Sequence, residues 1–189
     1  MSLFNNKYRI ETTRLQNWNY AWNSKYFVTI VTKNHKHFFG KITDKQMHFS
    51  KIGIIAFEYW NDIPKHFPFV TLDEFCIMPN HIHGIIVIDN KTGNTHTLRD
   101  VACNVSTNES NSNKMSVISP KPCSLSTIIR SFKSAVTKFA NENNYIFGWQ
   151  SRFYEHIIRN ERSLNRIRNY IRNNPLNWKN DKFNLRGTL

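Results

Sequence analysis

Cysteine is scarce and placed without pattern. Cys76, Cys103 and Cys123 are odd in number and far apart, so they make neither a zinc knuckle nor a disulfide framework, and a reducing, cytoplasmic setting is expected. Long apolar runs are missing too. The longest, Ile52–Phe57 and Gly84–Ile88, fall far short of the roughly 18 residues of a membrane span, and no membrane partner is expected. The opening MSLFNNKYRIETTR has no apolar signal-peptide core. Acidic residues are few: 13 Asp+Glu stand against 26 Lys+Arg, a formal net charge of +13. Such an excess favours a polyanion partner, because each phosphate contact releases counterions. A basic protein with no nucleic-acid partner would have the same composition, so charge alone does not decide.

The content that is present suits one folded domain. The 189 residues are 40% hydrophobic and 14% aromatic, which rules out wholesale disorder. Tyr26–Thr32 is β-branched and aromatic and reads as a strand, and Asn34–Gly40 as a turn. Met47–Phe49 is a short strand. Ser50–Trp60 begins with a capping serine and has apolar residues at 52, 55, 56 and 59, the helical spacing. Leu72–Met78 and His81–Asp89 form two strands around a Pro79–Asn80 turn. Asn104–Lys114 is polar apart from Val105, so 90–121 reads as a flexible insertion. Ser124–Asn141 is an amphipathic helix, Arg152–Ile158 a strand and Ser163–Asn174 a final helix. This order predicts an α+β fold, an antiparallel sheet with helices packed on it. It forms one domain over 1–189, with an N-terminal lobe at 1–89 and a second half at 122–189.

Two local patterns carry chemistry. His81 and His83 are two apart on a strand and share a face with Ile85 and Val87, while Ile82, Gly84, Ile86 and Ile88 share the other. A strand apolar on both faces is central and covered. Two imidazoles at its start need partners, and a shared metal ion is one answer; hydrogen bonding at a strand end is the other. The same spacing recurs at His35 and His37 in a lysine-rich turn, where solvent is the expected environment. On the last helix, Leu164, Ile167 and Ile171 form an apolar stripe. Tyr170 and Asn174 stack beside it four residues apart, and Pro175 should end the helix. Arg162/Arg166 and Arg168/Arg172 are like-charged i,i+4 pairs, a cost more easily understood if phosphates lie near. An amphipathic helix with a core-edge tyrosine is the plainer reading.

The stretches MPNHIHGIIVI (78–88), GWQSRFYEHIIRN (148–160) and NYIRNNPLNW (169–178), with NKYRIETTRLQNWNY (6–20) before them, resemble the REP-associated tyrosine transposases. These belong to the wider single-tyrosine HUH transposases, in which U is a hydrophobic residue. The resemblance spans nearly the whole chain outside 90–121. It implies a ferredoxin-like sheet with helices on one face. It implies His81 and His83 as ligands of a divalent metal, Mg²⁺ or Mn²⁺, with Asn174 as the third ligand. Tyr170 is then the nucleophile that cleaves and rejoins single-stranded DNA through a 5′-phosphotyrosine link, next to hairpins. The implied setting is a prokaryotic cytoplasm, on the nucleoid when DNA is bound; some members are homodimers and others monomers.

Arg130, Lys133, Trp149, Gln150, Arg152, Arg166 and Arg172 are candidate DNA contacts, although packing is the commoner fate of a tryptophan. His156 and Glu155 are accessory candidates, with a core hydrogen-bonding role the favoured one for His156. No general base for the tyrosine stands out. The competing readings are another HUH nickase, of the replication-initiator or relaxase kind, a catalytically silent hairpin-binding protein, and a metal-dependent hydrolase that uses water.

Overall fold

The computed structural model describes residue 15, residues 17–90 and residues 123–184. It also describes the backbone of two short paired strands, β1 (Leu3–Phe4) and β2 (Lys7–Tyr8). The insertion read at 90–121 lies outside the described residues except for Asn90.

The remaining strands are β3 (Ser24–Val31), β4 (Gly40–Thr43), β5 (Gln46–Phe49), β6 (Val70–Ile77), β7 (His81–Ile88) and β8 (Tyr154–Ile158). The helices are α1 (Lys51–Asn61), the single turn α2 (Ile63–His66), α3 (Leu125–Glu142) and α4 (Glu161–Asn173). Four strands form an antiparallel sheet in the order β6-β7-β3-β8. The α+β architecture is the one the sequence pattern predicts, and β7 is the buried inner strand its two apolar faces require.

The register assigns each strand residue to a face. Thr29 pairs with His83, Val31 with His81 and Phe27 with both Ile85 and His156. Paired residues point the same way, so these seven share one face. Tyr26, Val28, Ile30, Ile82, Ile86 and Ile88 face the other way, into the main core against α1 and α3. Gly84 belongs to this second face. A Cβ there would sit 2.3 Å from Cζ2 of Trp60, so the absence of a side chain is what lets the buried indole lie flat on the sheet.

The first face is covered differently. Leu164, Ile167 and Ile171 of α4 pack on Ile85 and Ile158, with Phe27, Cys76 and Val87 beside them. Helices therefore lie on both faces, not on one as the family resemblance implied. The stripe on α4 is narrow because it covers only part of its face, and the histidine end is left to other residues.

Several boundaries differ for identifiable reasons. Residues 40–43 form a strand, which takes Gly40 out of the turn read at Asn34–Gly40. They pair with β5 through Asp44 and Lys45, both at positive φ, a hairpin turn built without the Asn-Gly signal. β8 starts at Tyr154 because Arg152 has φ 65°, which a strand does not accept. α4 starts two residues early because the Asn160 side chain accepts from the backbone N–H of Ser163, capping the helix.

Gly84→Ala is expected to lower stability by about 1–3 kcal/mol through overpacking against Trp60. Denaturant unfolding of the single variants and of Gly84→Ala with Trp60→Leu checks this: trimming the indole should recover part of the loss, a non-additivity that independent sites would not give.

Candidate active site

His81 and His83 stand at the start of β7, 0% and 2% exposed, with ring centroids 4.5 Å apart. Each has its Nδ1 tied down. The His83 Nδ1 lies 2.8 Å from Oγ1 of Thr29, its cross-strand partner. The His81 Nδ1 lies 2.8 Å from Oδ1 of Asn80. The amide of Asn80 cannot turn over, because its Nδ2 donates to the backbone carbonyls of His35 and Phe183. Its Oδ1 must therefore face His81, and an oxygen there requires the proton on Nδ1. That leaves Nε2 of His81 as a bare lone pair, the tautomer a metal-ligating histidine adopts.

The bare nitrogen is buried and has no hydrogen-bond partner, and neither does Oδ1 of Asn174, whose side chain is buried at the end of α4. Each unmet buried acceptor costs roughly 1–3 kcal/mol, so two of them weigh heavily against a total stability of roughly 5–15 kcal/mol. Such orphaned acceptors, with no donor supplied by the described residues, fit a bound cation. Burial pushes both imidazoles down, His83 to about 3 and His81 well below its ordinary value, with Lys182 and, for His81, His83 adding charge repulsion. Both rings are neutral at pH 7. Cys76, across from His83 on β6, is pushed up to about 12 by burial, so it offers no thiolate.

Tyr170 meets the pair from α4. Its hydroxyl is 3.2 Å from Nε2 of His83, and its ring lies edge-on to His83 and Phe27. The residue is 44% exposed, opening on a cleft of about 590 Å³ lined by Arg166, Asn174, Asp181 and Lys182. Burial raises the phenol above its ordinary value and the Asp181 carboxylate adds to this, while a side-chain hydrogen bond with Asn174 works the other way.

After α4 the chain doubles back. Pro175 ends the helix as its sequence position predicts and starts a 3-10 turn, Pro175–Asn180. Trp178 then packs against His81 and His37, and Phe183 lies 4.5 Å from the His81 ring. Phe183 also stacks on His35, which is half-buried rather than solvated. This strap places Asp181 so that ligand atoms of His81, His83 and Asp181 lie within 4.8 Å of one another. Sequence reasoning missed Asp181, which follows a polar stretch with no periodicity. It also missed Thr29 and Asn80. Asn80 could have been suspected as an amide directly before the first histidine.

The position of α4 rests on a bulge in β6, where the register shifts between Leu72 and Phe75. A bulge re-aims side chains, and here Asp73 takes Arg168 in two hydrogen bonds while Glu74 takes Arg172. Arg172 therefore has a carboxylate partner, and the Arg168/Arg172 repulsion is answered within the chain. The other candidates lie elsewhere. Lys133 donates to the carbonyls of Gln150 and Arg152 and is lowered to about 8 by burial. Trp149 donates to the Lys133 carbonyl and packs on Phe39, Phe132 and Phe147. Arg130, Gln150 and Arg152 are exposed near this α3 side. His156 is exposed on the face of β8 that carries the histidine pair, not in the core, and Glu155 is half-buried on the opposite face.

This is the fold of the tyrosine transposases. A REP-associated tyrosine transposase bound to a REP hairpin matches with a TM-score of 0.55 at 14% identity, over 89% of this chain and 74% of that one. No protein-family model matches the chain. The chain is 38% identical over 171 residues to an uncharacterized protein of Haemophilus influenzae, covering 89% of each, and it belongs to one family with that protein. No helix among the described residues is long and apolar enough to cross a membrane.

Asp73→Asn is expected to loosen α4. Arg168 beside it holds the Asp73 carboxyl below its ordinary value, so its stabilisation is present above the unfolded pKa of about 3.9 and is lost as pH falls through the lower folded value. Melting temperatures of wild type and variant should differ at pH 7 and converge below about pH 4. A difference that is flat with pH would contradict this.

Proposed function

We propose that this protein is a metal-dependent DNA strand-transferase of the single-tyrosine HUH type, which cleaves and rejoins single-stranded DNA beside hairpins with Tyr170 as nucleophile. The observation that carries the reading is the meeting of the Tyr170 hydroxyl with His83, beside His81, whose tautomer leaves Nε2 free for a ligand. The fold shared with a hairpin-bound tyrosine transposase and the +13 charge support a DNA substrate.

His81 and His83 would hold the cation through Nε2, with oxygen from Asn174 and from Asp181. Nitrogen and oxygen donors together suit Mn²⁺ or Mg²⁺. When bound, such an ion supplies charge to offset that growing on the phosphate and to favour the phenolate. The chain's own residues do the rest. Asn80 and Thr29 orient the imidazoles. The Asp73 and Glu74 carboxylates fix α4, and so the distance from the phenol oxygen to the phosphate. Arg166, exposed one helical turn before Tyr170 and lining its cleft, would hold a neighbouring phosphate.

The Tyr170 oxygen loses its proton and forms a bond to phosphorus as the bond to the 3′ oxygen breaks, one proton leaving the phenol for the one that the 3′ oxygen takes up. The 3′ oxygen takes a proton and leaves as a hydroxyl, and the 5′ side stays on the tyrosine. A second strand's 3′-OH can reverse the step without ATP, because the ester bond is conserved. A silent hairpin-binding protein is the alternative, and it predicts binding without an adduct.

Incubation with labelled single-stranded hairpin DNA and Mn²⁺ should give a protein–DNA band on denaturing gels that disappears in Tyr170→Phe. Absence of the band in wild type, or its persistence in the variant, contradicts the assignment. Independently, Thr29→Val should weaken Mn²⁺ binding by about 10–100-fold in calorimetry, the usual effect of losing a residue that orients a ligand. Unchanged affinity would remove Thr29 from the site.

A further inference from the structure

We propose that a second cleft, along β8 and the first turns of α4, is a phosphate track that guides single-stranded DNA into the Tyr170 site. It encloses about 780 Å³ and is lined by His156, Glu155, Arg159, Arg162, Ser163 and Arg166. This deepens the reading of Tyr170 as a nucleophile on DNA and rests on it.

Three features carry the inference. First, the two clefts share a wall: Arg166 lines both this cleft and the one that holds Tyr170. A strand lying in one continues into the other. Second, the arginines of α4 and of the turn just before it divide into two sets. Arg168 and Arg172 are committed to Asp73 and Glu74. Among the described residues no carboxylate bridges Arg159, Arg162 or Arg166, and all three are exposed. The i,i+4 repulsion of Arg162 and Arg166 is thus left standing where that of Arg168 and Arg172 is answered. Third, the adjacent acid is already neutralised, since Glu161 accepts from Lys25 at 2.7 Å. Three guanidiniums then face one lining carboxylate, Glu155, with His156 exposed beside them. Planar guanidiniums lining one cleft, each with several donors, suit the phosphate oxygens of an extended strand. The Tyr170 hydroxyl faces His83 against the sheet, where a strand free of its complement can reach it.

The test is fluorescence anisotropy of the full chain with a labelled single-stranded oligonucleotide of about 20 nucleotides, in chelator so that no turnover occurs, across a salt series. Arg159→Gln with Arg162→Gln is compared with Lys65→Gln with Lys138→Gln. The lysine pair removes the same charge from positions bridged to Asp62 and Glu142, outside both clefts. The arginine pair should weaken binding roughly tenfold or more and lower the log–log salt slope by about 1.4, two single-strand phosphate contacts. The lysine pair should change binding less than about twofold. Lysine at both arginine positions should restore most of the affinity, which separates lost charge from lost folding. Equal effects of the two pairs, an unchanged slope, or the same arginine dependence and affinity for a duplex would overturn the track. The adduct assay separates the two readings. No Tyr170 adduct with arginine-dependent binding leaves the track standing and removes the chemistry. A normal wild-type adduct with both pairs binding alike removes the track alone.

Discussion

Two imidazoles in a buried strand end, each with Nδ1 held and Nε2 turned inward, are the constraint around which the rest of the molecule is arranged. Their position costs solvation, and burial drives both to the neutral form. Among the described residues nothing donates to Nε2 of His81, and Asn80, locked by two carbonyls, fixes the tautomer. A protein gains nothing in stability from this arrangement by itself. It suits the ligand site proposed above.

The sheet explains how the rest is brought there. β7 is covered on both faces, and its register alternates side chains between a large apolar core and a face dressed by α4. Gly84 yields room to Trp60 on the core side, while His83, its neighbour in sequence, turns to the other side. The bulge in β6 turns two carboxylates toward α4, and the helix that carries Tyr170 is thereby tied across the sheet at a point set by charge as well as by its leucine and isoleucine stripe. The strap after Pro175 closes the remaining side with Trp178, Asp181 and Phe183. In the proposed reading, nucleophile and ligands thus come from three separate parts of the chain that the register holds together.

Much of this was legible in the residues, and the rest was not for physical reasons. Strand pairing and the facing of His81 with His83 follow from period-2 alternation, which is local. The stacking of Tyr170 over Asn174 follows from helical spacing, and Pro175 marks the helix end. The placement of helices on both faces was not legible, because periodicity says which side of a helix is apolar but not which side of the sheet receives it. The fates of the arginines depended on a one-residue bulge that no pattern announces. Lys133, read as a candidate DNA contact, is half-buried against backbone carbonyls. Asp181 reaches the histidines only because aromatic packing folds the strap back, a tertiary fact with no periodic signature.

The central claim is that one cation joins β7 to the elements that follow it. Anomalous diffraction from crystals of the protein soaked in Mn²⁺ tests it most directly. The account predicts a single strong peak within ligand distance of Nε2 of both His81 and His83 and of an oxygen from Asn174 or Asp181. Metal bound elsewhere on the surface, with the histidine nitrogens unligated at saturating Mn²⁺, would contradict it.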